Sequence, residues 1–392
     1  MVRQNSNLFI LGLCITILLL NYFSCHAVKG HVASGIFQIV DSLMLPAIPE
    51  SPVQTLCAKY FEDGDAEYLF WSNRNRNSIE IFNLRSKTHE KTIRLPRDGP
   101  YGIPNIYAGF SVLALDTIIV SSSQAYGKLF CIDTFGKYYD IIQYANPSSD
   151  TTGNPGNQRV NLNSHYNGDV YRIDNQLVIP YRTPTFNYIP SEEEVKRSRR
   201  FGIYNFEKRT LSNSTIGYLS EIFGNPKIFS YSTNTFLNGK LYYHHLNSDK
   251  ILYTSDFFHE RYKSIPSEYQ TDYVPWSDSE SPYETVKRTF YYQTIKADPY
   301  KNLLYRIVKL PVRIDDMDFV DGEKELQGEL NRVSVMVLDE KLNVLGEQLF
   351  ENKHYSWNEC FVTKKGLHIL RAPTHPHYSE SILTFDIYVF NF

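Results

Sequence analysis

Cysteine, basic charge and long apolar runs are what this sequence has little of. Its 392 residues hold five cysteines, and beyond the N-terminal leader with Cys14 and the Cys25 at its cleavage region only Cys57, Cys131 and Cys360 remain. An odd number at wide spacing excludes a disulfide framework, and without a C-x-x-C pair no zinc site is offered. Each lies in an apolar, strand-like run ("TLCAKYF", "KLFCIDT", "NECFVTK"), so all three are expected as buried thiols acting as small hydrophobes. Net charge is −3, with 40 Lys and Arg against 43 Asp and Glu. No basic stripe runs along the chain, which excludes a nucleic-acid partner. There is no G-x-S-x-G elbow and no Gly-rich phosphate loop before a helix, so no catalytic residue and no cofactor is assigned.

The one sustained apolar run is N-terminal. Arg3 precedes "LFILGLCITILLL" (8–20), thirteen residues, too short to span a bilayer comfortably and typical of a signal peptide, here residues 1–24. In "NYFSCHA", Cys25 after Ser24 resembles a bacterial lipobox cysteine, with Tyr22 where Leu is usual. Lipidation of Cys25 would anchor the chain to the outer membrane through a tether, residues 25–34. No acidic run follows the cysteine, which favours a periplasm-facing location. The alternative is ordinary cleavage after Ala27 and a secreted or soluble periplasmic protein.

What the chain does have is aromatic residues, with 30 Tyr, 24 Phe and 3 Trp, together with Ile and Val in runs that suit pleated surfaces. "NSIEIFNLRSKTHEKTIRL" (77–95) reads as two strands around a polar turn, and a lone hairpin is marginal in water. It recurs as half of a four-strand unit, clearest in "GFSVLALD", "TIIVSSS", "KLFCIDT" and "YYDIIQY" (109–144). Further copies begin at "TLCAKYF", "GDVYRID", "SYSTNTFL", "FYYQTIKAD" and "NECFVTK". The turns between first and second strands ("EDGDA", "DT", "DN", "NG", "DPYKN", "KKG") have tight-turn compositions. Six such units predict an all-β, six-bladed β-propeller over residues 35–392. Only three strands are legible in the third unit and in the sixth. "GIFQIVDSLML" (35–45) alternates as a strand should, so it is expected to complete the sixth blade and close the ring.

"NGKLYYHHLNSDKIL", "YYQTIKADPYKNLLYRIVKLPV" and "NECFVTKKGLHILR", behind a lipobox-like start, resemble the TolB-like six-bladed propeller lipoproteins of Bacteroidetes, a family of unassigned function. The resemblance implies a fold and an envelope address, and it carries no catalytic residue.

Strand direction alternates within a blade, so connections between blades share one face with those joining second to third strands. Every long connection falls there, including 96–108, 145–165, 183–200, 267–288, 308–332 and 372–382, and one-sided long insertions point to function. Tyr101, Arg182, Tyr188, Trp276, Arg371, His375 and Tyr378 lie on or beside these connections and are the expected ligand or partner contacts, because aromatic and Arg side chains give stiff contact area with several donors. Ser191 with Glu194, and Ser281 with Glu284, fit capping boxes for short helical turns. Adjacent His244 and His245 point to opposite faces of a strand, so they are expected in sheet packing or at the surface and not as a metal pair. His375 and His377 lack a third ligand at fixed spacing, and "DDMD" (315–318) lacks the glycine and terminal Glu of a calcium loop. No metal is assigned. The preferred reading is a non-enzymatic envelope lipoprotein whose long-loop face binds a partner protein, glycan or small ligand. The alternative is a propeller hydrolase or lyase with its site at the channel mouth.

Overall fold

The computed structural model describes residues 36–392 apart from 52–54, 56, 100–101, 105–108, 123, 126, 145–159, 161, 163–167, 182–190, 192–198, 219–231, 272–288, 312–331, 351–353 and 392. Among the described residues there are 24 strands and no helix. They form six antiparallel sheets of four strands each.

The first blade is β2 (Ala58–Asp63), β3 (Ala66–Asn73), β4 (Ser78–Asn83) and β5 (Thr88–Arg94). The second is β6 (Phe110–Ala114), β7 (Thr117–Ser121), β8 (Lys128–Ile132) and β9 (Tyr138–Gln143). The third is β10 (Tyr171–Ile173), β11 (Gln176–Pro180), β12 (Phe201–Asn205) and β13 (Thr210–Asn213). The fourth is β14 (Ser232–Leu237), β15 (Lys240–His245), β16 (Lys250–Thr254) and β17 (Arg261–Ser264), and the fifth β18 (Tyr291–Asp298), β19 (Leu303–Lys309), β20 (Val333–Asp339) and β21 (Val344–Phe350). In the sixth, β22 (Tyr355–Thr363), β23 (Gly366–Arg371) and β24 (Ile382–Phe390) are joined by β1 (Phe37–Pro46).

The closing strand is where the sequence expects it. β1 pairs antiparallel with β24 from Phe37↔Phe390 to Pro46↔Ile382, with a bulge between Ile39 and Asp41. In the third blade, β13 is a fourth strand that alternation does not reveal. "TLSN" is polar and mostly exposed, so it carries no buried face to read.

Each blade is too thin to bury both faces alone, and the apolar side chains accordingly collect between blades. Six separate clusters lie at the six blade-to-blade contacts. The one that joins the last blade to the first sets Phe361, Leu370, Phe385 and Ile387 against Ala58, Leu69 and Trp71. Cys57, Cys131 and Cys360 are buried thiols outside any disulfide among the described residues, as the apolar runs imply. Hairpin turns use the expected chemistry: Asn238 (φ 50°) and Gly239 (φ 75°) both take the left-handed conformation that a tight two-residue turn needs.

Candidate functional site on the long-loop face

First strands of neighbouring blades touch one another, β14 with β18, β18 with β22, β22 with β2 and β2 with β6, so these strands line the axis. A chain of polar contacts follows the axis from blade to blade. Lys59 on β2 sits 2.6 Å from the Asp169 carboxylate just before β10, and Ser111 on β6 donates to the same oxygen at 3.2 Å. Burial works against the Lys59 ammonium, but the Asp169 charge outweighs it and leaves the lysine pKa above its usual value. Thr233 and Thr294 hydroxyls meet at 3.2 Å between blades four and five, and Gln293 is joined to Asn358 between blades five and six. Glu359 accepts the amide of Thr55 at 3.1 Å between blades six and one. At the short-turn end, Tyr60 and Tyr300 hydroxyls lie 3.3 Å apart, and Tyr300 donates to Glu62 at 2.6 Å. Lys364 completes that network through Glu62. The axis is therefore bridged by side chains at its short-turn end.

Strand polarity puts the beginnings of β2, β10 and β12 and the ends of β15 and β23 under the long-loop face, and buried charge gathers there. His244 and His245 close β15 with side chains on opposite faces, as strand geometry requires, but neither is at the surface. Each instead accepts a bond from a buried arginine. Arg306 Nε donates to His244 Nδ1 at 2.9 Å, and Arg200 Nη1 lies 2.9 Å from His245 Nε2. Arg306 stacks 3.5 Å over Tyr292, and Arg200 4.0 Å over Tyr243. Burial pulls the Arg306 pKa down to about 10 and, with the Arg306 charge, holds His244 well below the usual histidine range. Glu347 is buried nearby, and it accepts Ser267 Oγ at 2.6 Å, Ser334 Oγ at 2.5 Å and the Glu268 amide at 2.9 Å.

Of the seven contacts expected from the sequence, Arg371, His375 and Tyr378 fall among the described residues. Tyr101, Arg182, Tyr188 and Trp276 lie outside them, as do Cys25, Asp315, Asp316, Asp318 and nearly all of both capping boxes. Arg371 and His375 meet at one carboxylate, Asp386. Arg371 Nε reaches both Asp386 oxygens at 3.1 Å and Nη2 reaches Oδ1 at 2.7 Å, while His375 Nε2 is 3.9 Å from Oδ2. Arg371 is thus tied beneath the rim, the His375 side chain beside it is only 10% exposed, and Tyr378 is half-buried. His377 is exposed, and its backbone amide donates to His375 Nδ1 at 3.1 Å. Among the described residues no three His, Cys, Asp or Glu side chains are grouped to hold a metal.

An open cavity of about 360 Å³ does lie on the short-turn face between blades four and five, lined by Lys240, Asp256, His259, Arg261 and Glu340 among others. Its side chains are surface groups that pair with one another, as His259 Nδ1 does with Asp256 Oδ2 at 2.7 Å.

Sequence reasoning missed Lys59, Asp169, Arg200 and Arg306. The signal available for two of them was register: Lys59 and Arg306 interrupt otherwise apolar strands.

Six blades, an axis of polar contacts and a charged long-loop face define this chain as a closed six-bladed β-propeller. It belongs to the DUF4221 family, a domain of unknown function whose pattern matches residues 40–349. A DUF4221 member from Bacteroides vulgatus superposes with a TM-score of 0.73 at 19% identity, covering 90% of this chain and 98% of its own. A candidate exported protein from Bacteroides fragilis superposes with a TM-score of 0.55 at 10% identity, covering 93% and 98%. No curated protein matches the sequence. The six-bladed propeller is the fold that the resemblance in the sequence implied, and the family shown is DUF4221.

Proposed function

We propose that this chain is a binding propeller of the cell envelope, held by a lipid on Cys25 and facing the periplasm, whose long-loop face takes a partner protein, glycan or small ligand. The observation that carries the reading is the collection of buried charge under that face: Lys59 with Asp169, Arg200 with His245, Arg306 with His244, and Glu347. Burying charge is costly, and a fold needs none of it to close six apolar interfaces. Tyr101, Arg182, Tyr188, Trp276, Arg371, His375 and Tyr378, on or beside the long connections in the sequence, supply the contacts. The exported description of one structural neighbour supports an address outside the cytoplasm. The test is capture of a partner from the native envelope by the tagged full-length protein. Binding is expected to be lost when Arg182 and Trp276 are replaced by alanine, and binding that is indifferent to them defeats the proposal.

A further inference from the structure

Three arginines under the long-loop face differ in how their donors are used. Arg306 is fully provided for: Nε bonds His244, Nη1 bonds the carbonyls of Asp249 and Ile265 at 3.0 and 2.9 Å, and Nη2 bonds that of Ser248 at 2.8 Å. Arg371 has Asp386. Arg200 is 2% exposed, yet its side chain makes one hydrogen bond, Nη1 to His245, and its buried Nε has no acceptor. The nearby acid, Glu260, is engaged by the Tyr243 hydroxyl, and among the described residues no carboxylate forms an ion pair with Arg200. Among the described residues its other company is aromatic, Tyr243 at 4.0 Å, Phe201 at 5.4 Å and Tyr218 at 5.5 Å.

A guanidinium does not shed its charge in a protein, and a buried cation without a counter-ion is expensive. The bond to His245 uses one corner of the fork and leaves the Nε–Nη2 edge, whose two parallel N–H groups match a carboxylate or phosphate. Burial also depresses the Arg200 pKa, which an incoming anion would reverse. We propose that this edge of Arg200, framed by His245 and Tyr218 between blades three and four, binds an oxyanionic group, carboxylate or phosphate, of the ligand. The inference rests on the long-loop reading for the side from which that ligand approaches, and it names the chemistry recognised there.

The experiment is thermal unfolding of the mature chain in increasing inorganic phosphate and, separately, acetate, with ionic strength held constant by sodium chloride. One of the two anions is expected to raise the midpoint saturably, by about 2 °C at ten times its dissociation constant. Arg200→Met abolishes the rise, and Arg200→Lys, which keeps the charge but not the fork, retains only a fraction. If Arg200→Met does not fold, the Arg200 Nε–H NMR signal of the wild-type chain is the readout, and it shifts with the same saturation curve. A midpoint insensitive to both anions, or a rise that persists in Arg200→Met, overturns the inference. Either result leaves the assignment of the binding face to the loop variants, which are read by partner capture and not by anion response.

Discussion

One carboxylate ties together all four strands of the closing blade, and removing its main partner should loosen the ring. Asp386 on β24 accepts from Arg371 on β23, from Ser42 on β1 at 2.7 Å and from Tyr355 on β22 at 2.8 Å. The Asp386 side chain is 2% exposed and that of Arg371 16%. Burial pushes the Asp386 pKa up, but the bonds from Arg371, Ser42 and Tyr355 outweigh it and hold the carboxyl below its usual range. Arg371→Ala leaves a buried carboxylate with two neutral donors, which costs about 3 kcal/mol, a sizeable share of a typical total of ~5–15 kcal/mol. Ser42→Ala removes one bond to a charged group, about 1.5 kcal/mol. Because the folded pKa of Asp386 is depressed, its stabilisation is present above the unfolded carboxyl pKa and is lost as pH falls through the folded value. Without Arg371 that folded value rises, so acid unfolding of the variant begins at higher pH. Urea unfolding at neutral pH measures the cost, with Lys365→Ala as control because the exposed Lys365–Asp41 pair at 3.6 Å is worth about 0–1 kcal/mol. If Arg371→Ala falls as little as Lys365→Ala, Asp386 is not the lock described.

Three further outcomes are expected. His368 is buried against Phe361, with ring centroids 4.7 Å apart, and burial holds its pKa down at about 4. The unfolded chain takes up that proton below about pH 6.5 and the folded chain does not, so stability falls from there towards pH 4. His368→Phe should flatten the acid slope by about 1.4 kcal/mol per pH unit, and an unchanged slope measured by urea midpoints contradicts it. A Cβ at Gly168 would overlap the side-chain amide of Asn234 beside the axis, so Gly168→Ala should cost about 1–3 kcal/mol, and a wild-type urea midpoint refutes that packing. Mass spectrometry of the mature N-terminus should find lipidated Cys25, and an unmodified chain beginning at Val28 refutes the anchor.

The blades were legible because hairpins advertise themselves. Turns such as Asn238–Gly239 have few other uses, and alternation around them, as in Ile79 and Ile81, marks which face is buried. Closure was legible from a strand missing at the end and one spare at the start. β13 was not, since an exposed outer strand such as Thr210–Asn213 needs no apolar pattern to pair. The charged pairs were beyond reach for another reason. Arg200 and His245 are separated by 45 residues, and Lys59 meets Asp169 only because the axis brings blades one and three together. Adjacent His244 and His245 could be assigned to opposite faces, but the arginine each would meet depends on blade-to-blade packing that no local pattern encodes.

Docking of ligand on the long-loop face is decided by titrating the captured ligand against two sets of alanine variants. One set changes Arg182 and Trp276, on the long connections, and the other changes Lys87 and Lys137, in the short turns opposite. Each long-loop substitution should weaken binding by about 1–2 kcal/mol, roughly 5- to 30-fold, while the short-turn variants bind as the wild type does. Normal binding by both long-loop variants, with loss in Lys87→Ala or Lys137→Ala, would contradict it.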